Sequence, residues 1–261
     1  MNRLDVALDA AHAAGEVLLR HFGGELDVQT KSSEIDLVTV ADREAEEAIL
    51  ERFEQHTPDF AVLAEESGAR EGKPGAPRWV VDPLDGTTNY ANAYPHYLVS
   101  IGLVEDDVPV LGVVHDPSRG ETFVAERGGG AWLLRGDART RLSVTGASQL
   151  SEALLATGFS YDRATATRNN LDEFLRIISK VRGIRRAGSA ALDLAWVAAG
   201  RLDGYWEFSL SPWDWCAGAV LVSEAGGVIE TLGGERWTLT SSSLCTGSRA
   251  LVDAMIGTLV P

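Results

Sequence analysis

The sequence predicts an α/β fold, with an α+β first half over residues 1–140 and a helix-and-sheet second half over 141–261. Three observations predict it. Apolar residues at helical spacing open the chain, short apolar runs separated by turn residues follow, and beyond residue 140 longer helical patterns alternate with isolated strand-like pieces. With 261 residues, 45% of them hydrophobic, the chain can bury a large core. No long linker, repeat or low-complexity tract divides it, so one domain over 1–261, made of two intimately packed halves, is expected.

Leu4, Ala7, Leu8, Ala11, Val17 and Leu18 share one helical face, and Gly23-Gly24 stops that helix. Ala45, Ala48, Ile49 and Phe53 form a second helical pattern, with Asp42 before it as an expected N-cap. Strands are then expected at Phe60 to Ala64, Trp79 to Val81, Tyr97 to Val104, Val108 to His115 and Glu121 to Glu126. The short acidic and Pro/Gly turns between the last three point to an antiparallel meander. In the second half, helices are expected over roughly 166–181, 189–199 and 214–225. Between them Leu154-Leu155-Ala156, Tyr205-Trp206, Val228-Ile229 and Leu244-Cys245 would build a second sheet.

Composition narrows the function. The 38 acidic and 23 basic residues give a formal charge of -15, which repels nucleic acid and anionic lipid alike. An anionic substrate would need bound cations to reverse that field locally. Cys216 and Cys245 make no disulfide framework or metal pattern, and no apolar run reaches the roughly 18 residues of a membrane span. A cytoplasmic protein without membrane or nucleic-acid partners is expected.

The chemistry concentrates in Asp82-Pro83-Leu84-Asp85-Gly86-Thr87-Thr88-Asn89, where an apolar strand gives way to a turn. Pro83 stiffens the backbone and Gly86 permits an unusual angle or a close approach. Asp82, Asp85 and the Leu84 carbonyl offer three hard oxygen donors, a set suited to Mg²⁺. A helix beginning at Gly86-Thr87-Thr88 would direct free amides at a phosphate. Taken singly, Glu65 reads as a solvated loop acid and Asp214 as an N-cap; their joint presence with the central turn argues for a metal cluster.

Glu65-Glu66, then D-P-L-D-G-T-T-N from Asp82, then Trp213-Asp214, in that order, resemble the inositol monophosphatase family. Lys31 with Asp36-Leu37-Val38-Thr39-Val40-Ala41-Asp42 is similar to the family's lysine and D-x-V-T-x-x-D element. Arg185 to Ala191 and Gly204 to Glu207 resemble its pocket-closing segments. The resemblance implies a layered sandwich of alternating helix and sheet layers, as in fructose-1,6-bisphosphatase and inositol monophosphatase, and a homodimer. It also implies two to three Mg²⁺ ions, one on Glu65, Asp82 and the Leu84 carbonyl and a second on Asp82, Asp85 and Asp214. Gly86 and Thr87 would meet the phosphate, Asp42 and Thr87 would orient the attacking water, and Lys31, Asp85, Ala190 and Glu207 would complete the substrate site. Lithium would compete at the second metal position. Trp215 and Cys216 depart from the small residues usual after W-D, and are expected to be core.

The implied reaction is Mg-dependent hydrolysis of a phosphorylated polyol or sugar, inositol 1-phosphate foremost, by direct attack of water. Fructose 1,6-bisphosphate and histidinol phosphate are the alternatives within the superfamily. Thr88 points away from relatives acting on sulfated or nucleotide substrates, which often have Lys after G-T. An aspartyl-nucleophile phosphatase of the haloacid dehalogenase type is disfavoured, because two residues separate Asp82 from Asp85 where that signature has one. A regulatory protein that keeps the fold is the rival from another class.

Overall fold

The structure, a computed structural model of the chain, describes residues 1–24, 28–31 and 37–260. Helix α1 (Arg3–His21) is capped by Asn2, whose side chain accepts from the Asp5 amide while Asp5 answers the Asn2 amide, pairing two groups that a helix start leaves orphaned. An antiparallel ladder of β1 (Val28–Thr30) and β2 (Leu37–Thr39) leads into α2 (Val40–His56). Here the expected cap is corrected: Thr39 is the N-cap, and Asp42 closes a capping box from the third helical position. Thr39 keeps the extended backbone of β2, so the helix starts before its apolar stripe does.

The large sheet comprises β3 (Ala61–Ala64), β4 (Gly68–Arg70) and β5 (Arg78–Asp85), which the short helix α3 (Thr87–Ala91) follows. It continues with β6 (Leu98–Glu105), β7 (Val108–Asp116), β8 (Glu121–Glu126), β9 (Gly130–Arg135) and β10 (Ala138–Arg141). Their order is β10-β9-β8-β7-β6-β5-β3-β4; β3 and β5 run parallel and the other pairs antiparallel. The expected meander is present over β6 to β8.

The second half holds β11 (Leu154–Thr157), α4 (Leu171–Ile177), β12 (Gly183–Arg185), α5 (Ala190–Ala198) and β13 (Gly204–Phe208). After them come α6 (Pro212–Glu224), β14 (Val228–Glu230), β15 (Ser243–Gly247) and α7 (Arg249–Leu259). The small sheet has the order β12-β11-β13-β15-β14. Two expected helices shift. α4 starts at Leu171 rather than 166, because Asn170 takes a left-handed φ of 68° that an α-helix cannot continue. α6 starts at Pro212, whose fixed φ suits a first turn.

Helices and sheets alternate in layers. α1 and α2 cover one face of the large sheet and α5 and α6 the other; the small sheet backs onto α5 and α6, and α4 and α7 close its far face. Both faces of the small sheet are therefore buried. Ala156, Tyr205 and Leu244 join the core around α5 and α6, while Leu155, Trp206 and Cys245 join the core around α7, as the strand period of two requires. Two bare glycines admit α6 to the large sheet. A Cβ at Gly102 would lie 2.4 Å from Cys216 Sγ, and one at Gly112 would lie 2.3 Å from the Ala217 carbonyl oxygen. Trp215 and Cys216 are the residues buried there, and burial pushes the Cys216 thiol up to about 12. No helix among the described residues is long and apolar enough to cross a membrane.

Candidate active site

β5 does not end at Val81, as the apolar pattern suggests, but runs on through Asp85, with its register against β6 broken between Asp82 and Asp85. A bulge of this kind re-aims side chains without ending the strand. Leu84 anchors it, its side chain 1% exposed and its amide 3.0 Å from Asp82 Oδ1. Gly86 then takes φ 100°, and a Cβ there would lie 2.8 Å from the His96 carbonyl oxygen, so α3 can start at Thr87 only behind a glycine.

Four carboxylates meet around this turn. Glu65 follows β3, its amide bonded to the Val81 carbonyl at 3.1 Å, which holds it beside Asp82 on the neighbouring strand. Asp214 comes from the first turn of α6, brought in by the glycine contacts just described. Burial, then the charges of Glu65, Asp85 and Asp214, hold the Asp82 carboxyl well above the usual range. Asp214 is raised by burial and then by Asp85 and Glu65. Asp85 is pushed by burial up to about 6, against hydrogen bonds that favour its charge. Among the described residues no three acid or imidazole side chains already converge to hold an ion as they stand. The chemistry of the set nevertheless fits a hard divalent cation: oxygen donors only, buried, and repelling one another.

Lys31 partly answers this charge. Its ammonium lies 2.8 Å from Glu65 Oε1 and also bonds Glu66. Burial works against that ammonium, but the two glutamates outweigh it and hold it above its ordinary value. Asp36 of the same sequence element lies outside the described residues.

Asp42 and Asp214 share one device. Each stands third in its helix and gives an oxygen to its own N-cap, Asp42 Oδ2 to the Thr39 amide at 2.8 Å and Asp214 Oδ2 to the Ser211 amide at 2.6 Å. Neither is the N-cap itself, and each keeps a second oxygen outside that bond. For Asp42 that oxygen meets Thr87 Oγ1 at 3.1 Å; Thr87 Oγ1 is also 3.2 Å from the Leu84 carbonyl oxygen. Burial raises the Asp42 carboxyl.

A cavity of about 720 Å³ opens over this floor, lined by Lys31, Glu65, Asp85, Ala190, Glu207 and Asp214 among others. Buried Asp42, Asp82 and Thr87 and half-buried Gly86 do not line it. Glu207 on β13 receives the Tyr205 hydroxyl, and burial pushes its carboxyl up to about 7. Trp206 and Trp215 are core, the latter as expected, but Trp213 lies on the cavity wall.

Sequence reasoning gave several residues that shape this site no individual role. Ser189 Oγ and the Ala191 amide hold Asp85 Oδ2 at 2.8 and 2.7 Å, joining the second half to the first. Glu46 accepts the Glu66 and Ser67 amides at 2.9 and 2.8 Å and so shapes the turn after Glu65. Asp193, the lone acid in the apolar run of α5, lines the cavity. An acid inside an apolar helical pattern is a legible signal; an acceptor for distant loop amides, like Glu46, is not.

The model of the inositol monophosphatase family matches residues 2–260. An inositol-1-monophosphatase of Synechocystis sp. is 46% identical over 226 residues, 87% of this chain and 77% of the relative. A Nus factor SuhB of Pseudomonas aeruginosa is 42% identical, over 99% of this chain and 96% of its own. The solved inositol monophosphatase from Anabaena (Nostoc) sp. superposes with a TM-score of 0.87 at 40% identity, covering 98% of this chain and 94% of that one. Family match, sequence relatives and layered fold agree, and the chain belongs to the inositol monophosphatase family.

Proposed function

We propose that the chain hydrolyses phosphate monoesters of polyols, inositol 1-phosphate foremost, by direct attack of water. One observation carries this reading: Glu65, Asp82, Asp85 and Asp214 gather in mutual repulsion beside the Asp42–Thr87 pair, beneath a cavity that Lys31, Glu65, Asp85 and Asp214 help to line. Glu65, Asp82 and the Leu84 carbonyl would hold one Mg²⁺, Asp82, Asp85 and Asp214 a second, with a third near Glu65. Bound there, the ions supply positive charge and Lewis acidity to an anionic phosphate in a protein that is otherwise acidic.

The chain's own groups do the positioning. A Thr87 hydroxyl that donates to the charged Asp42 oxygen, in preference to the neutral Leu84 carbonyl, keeps its lone pairs for a water hydrogen. It thereby orients that water toward phosphorus. The water oxygen–phosphorus bond forms as the ester oxygen–phosphorus bond breaks, so no aspartyl phosphate arises. Gly86 and Thr87 amides face the phosphate, while Lys31, Asp85, Ala190 and Glu207 meet the rest of the substrate. By family likeness the enzyme would be a cytoplasmic homodimer inhibited by lithium. Relatives named Nus factor SuhB support a second role outside catalysis.

Phosphate release from inositol 1-phosphate, fructose 1,6-bisphosphate, histidinol phosphate and a phosphonucleotide, with Mg²⁺ and with a chelator, tests the reading. Metal-dependent release highest for inositol 1-phosphate is expected. A phosphoaspartate trapped on Asp82 or Asp85 would overturn the mechanism.

A further inference from the structure

Six buried side-chain polar atoms among the described residues have no hydrogen-bond partner, on His96, Tyr97, Asp193, Trp196, Trp215 and Trp237. Only one of these residues, Asp193, lines the cavity above the carboxylate floor. It is 2% exposed, and its orphan atom, Oδ1, is a carboxyl oxygen that accepts when the group is ionised. A buried acceptor without a donor is costly, so a site with an orphan carboxylate oxygen in its wall is built to receive a donor from outside.

Glu207 stands in the same wall. The Tyr205 hydroxyl holds one of its oxygens, and its carboxylate occupies the space that a side chain at residue 158 would need. A Cβ on Gly158 would lie 2.1 and 2.2 Å from the two Glu207 oxygens. Glycine at 158 thus lets the carboxylate reach the cavity. Burial, then the charges of Glu207 and Asp85, hold the Asp193 carboxyl well above its usual range, and Arg186 at the rim is the cation that works against them. The wall is acceptor-rich, which suits neutral hydroxyls and opposes a second phosphate placed against it.

We propose that Asp193 is a specificity-determining residue: with Glu207 it accepts hydrogen bonds from free hydroxyls of a phosphorylated polyol ring, so that the cavity selects hydroxyl-rich monophosphates. This rests on the phosphatase reading, because it concerns the alcohol carried by the phosphate.

The test compares wild type, Asp193→Leu and Asp193→Asn on two esters at saturating Mg²⁺: inositol 1-phosphate, and phenyl phosphate, which has no free hydroxyl. For inositol 1-phosphate kcat/KM is expected to fall about tenfold or more in Asp193→Leu, mostly through KM, and less in Asp193→Asn, which keeps an acceptor oxygen. Phenyl phosphate turnover should stay within about twofold. Without ligand, both variants should melt at or above the wild-type temperature, since an orphan buried acid is removed; a purely structural role predicts lower melting. Equal losses on both esters, or no change on either because water alone fills the orphan bond, would overturn the inference. Absence of turnover of either ester by wild type would overturn the phosphatase reading, and this inference with it.

Discussion

Thr87 Oγ1 lies 3.1 Å from Asp42 Oδ1, while the Thr39 amide and hydroxyl hold Asp42 Oδ2 at 2.8 and 2.6 Å. One carboxylate thus serves a helix cap and a candidate catalytic hydroxyl together. Thr87→Val and Asp42→Asn are each expected to lower kcat about 10²- to 10⁴-fold with little change in KM, as loss of water orientation predicts. Combined, they should cost hardly more than either alone, because the two groups act as one unit. Steady-state kinetics of the two variants and the double variant measure this, and additive losses would argue against a shared role.

Asp82 is repelled by Glu65, Asp85 and Asp214 in a buried setting. Replacing it with Asn should therefore move activity and metal-free stability in opposite directions. kcat is expected to drop by several orders of magnitude, while melting in chelator rises by on the order of 1 kcal/mol of stability. An unchanged rate would sink the metal assignment; lower metal-free melting would show that the four acids do not strain one another.

His115 near the end of β7 is half-buried and packs edge-on against His12, with its Nδ1 2.9 Å from Thr122 Oγ1, and desolvation followed by the His12 charge pushes it down to about 4. The unfolded chain, with a histidine near 6.5, binds this proton more readily than the folded one between about 4 and 6.5. Stability should accordingly fall as pH drops through that window and level off below it, by on the order of 2 kcal/mol from this group. Denaturant unfolding of wild type and His115→Gln at several pH values isolates the contribution. Parallel curves for the two proteins would mean the ring titrates as it does in solvent.

Much of the architecture was legible because period and punctuation carry it. The apolar stripe of α1, its Gly23-Gly24 stop and the turns between β6, β7 and β8 are local instructions, and they tell where elements form to within a turn. Misplaced edges have local reasons as well: Thr39 caps α2 through its hydroxyl, Asn170 stops α4 through its φ, and β5 continues past Val81 by bulging. β10 escaped notice because all four of its residues are exposed and show no alternation.

For the candidate site, the order and spacing of Glu65, Asp82, Asp85, Thr87 and Asp214 along the chain determined which chemistry was plausible, since residue type alone decides that the donors are hard and the turn is stiff. Their convergence was decided by tertiary structure. Parallel pairing of β3 with β5 sets Glu65 beside Asp82, and bare Gly102 and Gly112 let α6 carry Asp214 to the large sheet. Ser189 and Ala191 fasten Asp85 to the second half, and burial raises the carboxyls that gather there. Proximity and desolvation belong to pairs of residues far apart in the chain, and for that reason local sequence could name the acids but only the fold could make them act on one another.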